Sequence, residues 1–137
     1  MARPAPVPQG CPCGSKYRYT ECCKPLHDGA PAATAEALMR SRYSAYALCL
    51  VPYLLDSWHR STRPALGLDD LDPATRWLGL RIVDHAIDAG DPEAATVEFI
   101  ARFRVGGGSA RRLHERSRFR RVDGRWQYLD GEILKPA

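Results

Sequence analysis

The chain has 137 residues, of which 45% are hydrophobic, and this composition is ordinary for a protein with one globular core. No apolar run approaches the ~18 residues of a membrane span, and none near the first methionine has the length of a signal peptide. We therefore expect a cytoplasmic protein with no membrane partner.

The first segment of interest is rich in proline and then in cysteine. Residues 1–10 predict an extended, proline-rich tail, and four cysteines follow within thirteen residues. They are Cys11, Cys13, Cys22 and Cys23. Thiolates packed this closely repel one another unless a cation holds them, and in a reducing compartment such cysteines are more often metal ligands than disulfides. We expect all four to bind one metal ion, which is zinc or alternatively iron, since thiolates suit both.

The predicted metal site indicates a structural role and a division of the chain into two domains. A site closed by four protein ligands has no open position, which favours a structural role over a catalytic one. His27, four residues beyond Cys23, is the alternative ligand if one thiol is not used. Segments shorter than roughly 40 residues rarely fold without a metal or a partner. We therefore predict a metal-binding knuckle in residues 1–30 and a main domain in 31–137, and expect a variant without the second cysteine pair to unfold the knuckle alone.

Three helices are predicted in the first half of the main domain. The first begins with Thr34 as its cap and carries apolar residues at spacings of three and four, with Cys49 as a buried thiol on this stripe. The second begins at Pro52. The third is short: Asp72-Pro73 supplies a capping residue and a first-turn proline, and the helix reaches Trp77.

The hydrophobic pattern changes to a period of two in the second half, which predicts a series of strands. The segments Gly106–Ser109 and Asp123-Gly124 predict tight turns between them. The predicted strands are 80–88, 95–105, 112–122 and 125–129. Helices followed by an antiparallel meander indicate an α+β domain whose helices cover one face of the sheet.

The cysteine segment resembles the SEC-C motif, which is named for the C-terminus of the SecA translocation motor. In that motif a Cys-x-Cys pair precedes a Cys-Cys or Cys-His pair, and residues 11–15 and 19–23 match it. Lys16 stands where the motif usually has glycine. The resemblance implies a zinc site and, through SecA, a protein or ribosomal partner that binds the knuckle.

Further segments are similar to the YchJ-like family. The matching residues are Thr34 to Tyr46, Trp58-His59 and His114 to Phe119. That family joins a SEC-C knuckle to a domain of the nuclear transport factor 2 type, a cone in which N-terminal helices pack on a curved antiparallel sheet. Since this fold hosts both enzymes and binding modules, the resemblance implies a fold without a reaction. The cone would supply a pocket for a small hydrophobic ligand or a face for a homodimer.

Two charged residues are predicted at positions that face the core. Arg42 interrupts the apolar stripe of the first helix, and Glu115 shares a strand face with Ser117. A buried ion pair between Arg42 and Glu115 would satisfy both charges, and we expect that pair. The alternative is an enzyme in which Glu115 is an acid/base catalyst acting on a small molecule, assisted by His59 or Tyr128.

Arginines form a second charged feature, with nine of them between Arg102 and Arg125. Five are predicted on the outer face of the sheet: Arg102, Arg104, Arg116, Arg118 and Arg120. Because no aromatic side chain is interleaved to stack bases, we expect a solvated face and no nucleic-acid partner. The sequence thus predicts a metal-binding interaction or small-ligand-binding protein, with the enzyme as the first alternative and RNA binding as the weaker one.

Overall fold

Three α-helices precede a four-stranded sheet in the part of the chain that the structure, a computed structural model, describes: residues 10–67 and 70–134. The helices are α1 (Cys23–His27), α2 (Ala35–Ala47) and α3 (Val51–Asp56). The strands are β1 (Thr75–Asp88), β2 (Asp91–Val105), β3 (Arg111–Val122) and β4 (Arg125–Ile133), antiparallel in that order. The predicted α+β class is confirmed, whereas the predicted tail lies almost wholly outside the described residues. None of the helices described is long and apolar enough to cross a membrane.

Helix α2 begins as predicted and ends earlier. Thr34 caps it, because its Oγ1 accepts a hydrogen bond from Ala37 N at 3.0 Å, and Glu36 lies in the first turn, where the helix dipole favours an acid. The helix ends at Ala47, so the prediction of Cys49 as a buried thiol on this helix is wrong. Cys49 is exposed and has a φ of +58°, a left-handed conformation that cannot continue a right-handed helix.

The predicted third helix is wrong, and its segment opens strand β1 instead. Asp72 Oδ1 accepts a hydrogen bond from Ala74 N at 2.9 Å, and the turn leads directly into Thr75, the first residue of β1. Trp77 then pairs with Phe103 near the end of β2. Since β2 is 15 residues long and needs a partner along its length, sheet pairing overrides the weak capping signal.

The predicted hairpin turns are confirmed. Asp123 and Gly124 have φ values of +52° and +78°, the two left-handed conformations that a type I′ turn requires. Gly106, with a φ of +59°, begins the turn between β2 and β3. The strands extend beyond their predicted limits, because β1 begins at Thr75 and β4 continues to Ile133.

The core lies between helix α2 and the inner face of the sheet. Leu38 on α2, Val97 on β2 and Phe119 on β3 are each at most 3% exposed. Burying a side chain of this size stabilises folding by about 1.5–3 kcal/mol. Three of the four clustered cysteines belong to the same buried cluster, so the cysteine segment and the main domain share one core.

Candidate functional site

The four cysteines predicted as metal ligands come together in space. Their Sγ atoms all lie within 4.8 Å of one another; Cys11, Cys13 and Cys23 are buried and Cys22 is half-buried. The Sγ atoms of Cys13 and Cys22 are 3.6 Å apart, and those of Cys22 and Cys23 are 3.9 Å apart. Four thiolates bound to zinc at its usual bond length stand about 3.8 Å apart at the corners of a tetrahedron. The donor set and its spacing therefore fit a tetrahedral metal ion.

A tight loop carries the first cysteine pair. Gly14 N donates to Cys11 O at 2.9 Å, and Cys11 N donates to Tyr17 O at 2.7 Å. Gly14 and Lys16 both have left-handed backbones, with φ values of +79° and +76°. Glycine adopts this conformation freely, whereas other residues do so at a cost of about 1–2 kcal/mol. Lys16 therefore departs from the motif at a position where the backbone favours glycine.

Helix α2 supplies polar groups that sequence analysis did not identify. Ser44 Oγ donates to Cys23 Sγ at 3.3 Å and lies 3.4 Å from Cys11 Sγ. Arg40 Nη1 donates to the carbonyl oxygen of Cys13 at 2.9 Å. Groups of this kind orient metal ligands and tune their basicity. The sequence signal was the spacing, since Arg40 and Ser44 are four residues apart and share one face of the helix.

The protonation of the cysteines is uneven in the absence of a cation. Hydrogen bonds from Cys23 and Ser15 lower the pKa of Cys13 to about 4. The bond with Cys13 raises the pKa of Cys23 well above its usual range, and burial raises the pKa of Cys22 to about 11. These hydrogen bonds and burial thus favour a thiolate at Cys13 and protonated thiols at Cys22 and Cys23. A cation that binds all four cysteines must displace the remaining protons.

His27 is not placed as an alternative ligand. Its Nδ1 lies 2.7 Å from Tyr19 Oη, and its Nε2 lies 2.8 Å from the carbonyl oxygen of Ser41. Both ring nitrogens are therefore engaged, and the ring links α1 to α2. The structure supports the set of four cysteines and gives no support to the histidine.

The predicted buried ion pair between Arg42 and Glu115 is wrong. Arg42 is 2% exposed, and among the described residues its guanidinium forms no ion pair. Its Nη1 donates to the carbonyl oxygen of Leu54 at 2.9 Å. The guanidinium carbon lies 4.8 Å and 4.6 Å from the ring centres of Trp58 and Tyr128. Because the last carbonyls of α3 have no partner within that helix, the helix end and two aromatic faces take the place of a carboxylate.

Glu115 lies on the inner face of β3 as predicted, and neighbours on the sheet hold its carboxylate. Ser117 Oγ donates to Oε2 at 2.5 Å, and Tyr128 Oη donates to the same oxygen at 3.4 Å. The side chain crosses Gly131 so closely that a Cβ there would overlap the carboxylate, which explains a glycine within strand β4. Burial, and then the charge of Glu115, raises the pKa of Tyr128 above its usual range.

A cavity of about 280 Å³ lies between helix α2 and the inner face of the sheet. Its charged lining groups are Arg42 and Glu115. Six aromatic side chains form much of its wall: Tyr43, Tyr46, Trp58, Trp77, Phe99 and Tyr128. An enclosure of this kind can hold a small molecule with a mostly apolar body and a few polar contacts.

Trp58 and His59 reach this region through a contact with β4. The backbone N–H of His59 donates to Tyr128 O at 2.7 Å, which places the Trp58 ring on the cavity wall. The His59 ring instead lies 2.8 Å from Ser61 Oγ and does not line the cavity. Of the three catalytic candidates, the structure brings Glu115 and Tyr128 together and leaves His59 outside. Trp58 Nε1 is buried and has no hydrogen-bond partner among the described residues.

The outer face of the sheet is divided into two parts. Three of the five predicted arginines form ion pairs: Arg116 with Glu98, Arg118 with Asp130 and Arg120 with Asp91. Arg102 and Arg104 form none within the part of the chain described here. Exposed pairs add only ~0–1 kcal/mol each to stability, but they reduce the charge available to a polyanion. RNA binding through this face stays a prediction.

A family model and related protein sequences match most of the chain. The family model for the middle NTF2-like domain of YchJ matches residues 34–131. A UPF0225 protein of Xanthomonas campestris pv. campestris (strain 8004) is 56% identical over 121 residues, which cover 88% of this chain and 92% of that protein.

Two solved structures share both fold and sequence with this chain. The solution structure of a SEC-C motif containing protein from Rhodopseudomonas palustris is 40% identical, with a TM-score of 0.81, and the match covers 91% of this chain and 98% of that one. The crystal structure of a SEC-C motif containing protein from Psychrobacter arcticus is 30% identical, with a TM-score of 0.76 and coverage of 94% and 85%. The predicted combination of a SEC-C motif and an NTF2-like fold is confirmed.

Proposed function

Because the chain belongs to the YchJ family, we propose that it is a zinc-binding SEC-C protein in which the metal is structural. The observation that carries this proposal is the set of four Sγ atoms within 4.8 Å of one another, spaced as a tetrahedral ion requires. Zinc suits four thiolates and brings no redox chemistry, and iron is the alternative occupant of the same ligands. Four protein ligands leave no coordination position for a substrate, which supports the structural role.

In this position the metal joins the cysteine segment to helix α2. Arg40 and Ser44 bond to the cysteines from that helix, and three of the cysteines lie in the core of the main domain. Metal binding and folding of the main domain therefore stabilise each other. Closely packed reduced cysteines persist in a reducing compartment, so we infer that the protein is cytoplasmic.

Metal analysis of the untagged, full-length protein tests this proposal. We expect one tightly held zinc per chain, and a loss of most of it in Cys22→Ser. Cys49→Ser is the matched control, because Cys49 is exposed and lies outside the cluster. Less than one tightly held ion per wild-type chain would contradict metal binding, and iron in its place would contradict zinc.

The exposed edge of the cysteine segment supports a protein partner. Tyr17 is 67% exposed and lies between Lys16 and Arg18, which are also exposed. Aromatic side chains anchor interfaces, and flanking cations favour an acidic surface on the partner. We propose an acidic protein, free or on the ribosome. Cross-linking from a photoreactive residue at position 17 in cells should give one defined adduct that is lost when Lys16 and Arg18 become Glu; an unchanged adduct would contradict the proposal.

The cavity supports a second function, in which a small molecule binds and Glu115 acts as an acid/base catalyst. The observation that favours it is that Arg42, the nearest predicted counter-charge, is bound elsewhere and leaves the carboxylate unneutralised. The carboxylate would take a proton from the carbon beside a carbonyl group, which forms an enol or enolate, and then return the proton.

Proton exchange tests the catalytic part of this function. In deuterated water, the wild-type protein should speed exchange of the α-protons of cyclohexanone, as followed by NMR, and Glu115→Gln should not. Equal exchange rates for the two proteins would exclude the catalytic role and leave the question of binding to a separate measurement.

A further inference from the structure

The cavity is lined by one positively charged and one negatively charged side chain, and together they limit the charge of a ligand that can bind there. Arg42 and Glu115 both line it, and no ion pair joins them. A bound organic cation would be attracted by the carboxylate but repelled by the buried guanidinium, and for a bound anion the two effects are reversed, so neither gains a net attraction. The electrostatics of the cavity therefore favour a ligand with no net charge.

Glu115 has hydrogen-bonding capacity that its neighbours do not use. Its Oε2 accepts bonds from Ser117 and Tyr128, whereas Oε1 accepts none from the described residues. A carboxylate has about four lone-pair positions in all. The two bonds and the close contact with Gly131 hold the group in one place on the sheet. The sheet side of the cavity thus offers a fixed acceptor.

The helix side of the cavity offers donors. Arg42 Nη1 donates to the carbonyl oxygen of Leu54 and to Ser57 Oγ, at 2.9 Å and 2.6 Å. A guanidinium has five N–H groups, and neither Nε nor Nη2 of Arg42 has an acceptor in the part of the chain that is described. Burial lowers the pKa of Arg42, but arginine keeps its charge in proteins.

The walls of the cavity favour a flat ligand. Six aromatic side chains line a volume of about 280 Å³, which is near the lower end of small-molecule sites. Aromatic rings gain most from ligands that they contact in stacked or edge-to-face geometry. A molecule of one or two fused rings matches this volume and these walls.

We propose that the cavity binds an uncharged, flat heterocycle whose edge presents a hydrogen-bond donor to Glu115 and an acceptor to Arg42. A cyclic amide has this arrangement, with an N–H beside a C=O, and nucleobases share it. The inference rests on the proposal that the cavity holds a small molecule, and it adds the chemical class of that molecule.

A matched pair of probes tests the inference on the full-length, zinc-loaded protein. The probes are quinolin-2(1H)-one, which has the donor and the acceptor, and coumarin, which has the same shape but carries a ring oxygen in place of the N–H donor. We would follow the indole N–H signals by NMR during titration, because Trp58 and Trp77 line the cavity whereas Trp126 does not. We expect the first probe to shift the signals of Trp58 and Trp77 and to bind at least tenfold more tightly than the second.

Two Glu→Gln substitutions, one in the cavity and one outside it, distinguish a specific contribution of Glu115 from a general effect of removing a negative charge. Glu115→Gln should reduce the affinity for quinolin-2(1H)-one at least tenfold, since hydrogen bonds to a charged group are stronger than those to a neutral one. Glu98→Gln, on the outer face, should leave it unchanged. The comparison of the two probes needs no variant, so it decides the question even where a substitution impairs folding.

Each outcome bears on a different statement. Equal affinity of the two probes, or full affinity in Glu115→Gln, would overturn the donor recognition while binding in the cavity stood. Failure of both probes to shift the indole signals of Trp58 and Trp77 would overturn the ligand class, whereas the small-molecule function is tested separately by the exchange of the α-protons of cyclohexanone.

Discussion

Helix α2 borders two sites that differ in whether their polar groups have hydrogen-bond partners within the protein. On the side of Arg40 and Ser44, each of the four Sγ atoms has an oxygen or sulfur partner at 3.6 Å or less. On the side of Arg42 and Tyr46, the cavity retains unused donors on the guanidinium and an unused acceptor on Glu115. Since native structures satisfy most of their buried polar groups, a site with all partners in place is suited to hold the fold together. A site with spare partners is suited to bind something else.

The separation of the two sites follows from helix geometry. Successive residues are rotated by about 100°, so positions 40 and 44 share one face and position 42 lies on another. One stretch of α2 can therefore support the cysteines and line the cavity at the same time. We therefore expect changes at the cysteine cluster to have large effects on stability. Changes in the cavity should affect both stability and ligand binding.

The largest expected effect is the loss of a buried cysteine ligand. Cys13→Ser should release the metal and destabilise the whole domain by more than about 4 kcal/mol, because loss of a metal is among the few mechanisms of that size. Calorimetric melting together with zinc content measures this, and Cys49→Ser serves as the control. If the main domain melted unchanged, the cysteine segment would be an appendage, as its sequence alone indicates, and the comparison between two sites of one core would fail.

The next effect compares two arginines of the same helix. Arg42→Met should cost about 3 kcal/mol, because it removes charge-assisted bonds to Leu54 and Ser57 and leaves their oxygens buried. Arg40→Met should cost about 1 kcal/mol, since its side chain is partly exposed and its loss leaves the cysteine cluster intact. Urea unfolding measures both changes. Equal costs would show that the deeper burial of Arg42 does not determine the difference between the two arginines.

A smaller effect tests how the carboxylate of Glu115 is held. Gly131→Ala should destabilise the protein by about 1–3 kcal/mol, because the added Cβ overlaps that carboxylate. Gly79→Ala in β1 is the matched control, since a Cβ there meets nothing within 4 Å. Combining Gly131→Ala with Glu115→Ala should remove most of the penalty in thermal melts. A penalty that persists in the double variant would show that the contact with Glu115 is not its cause.

The smallest effect concerns the loop between the cysteine pairs. Lys16→Gly relieves a left-handed lysine, a gain of about 1 kcal/mol, but it adds flexibility to the unfolded chain that offsets part of the gain. We expect a net stabilisation of about 0.5 kcal/mol or less with unchanged zinc content. A clear destabilisation would mean that the lysine side chain makes a contribution of its own.

Much of the fold could be predicted because its signals are local. The cap at Thr34 and the turn at Asp123-Gly124 depend on atoms within a few residues, and both were predicted correctly. The cysteine spacing predicted the cluster of four Sγ atoms for the same reason. Alternation along β3 placed Glu115 on the inner face without knowledge of the tertiary structure.

The wrong predictions share one cause: a local preference competed with contacts between distant parts of the chain. Asp72 carries a capping signal, but strand β2 recruits the segment after it. Cys49 continues an apolar pattern, but the chain has already turned towards α3. In both cases a weak local preference was outweighed by pairing or packing that the sequence does not display.

The clustering of the four cysteines, the succession of helices followed by strands, and the inward position of Glu115 follow from the amino-acid sequence, because spacing and periodicity determine them. The partner of Arg42 does not follow from it. Pairing with Glu115 was the simplest way to satisfy two buried charges, yet the guanidinium donates to the end of α3 and lies against two aromatic rings instead, and it keeps N–H groups without an acceptor among the described residues. Only the tertiary structure decides which of several competent partners is within reach. Here that decision leaves a charged, aromatic-walled cavity open to a ligand.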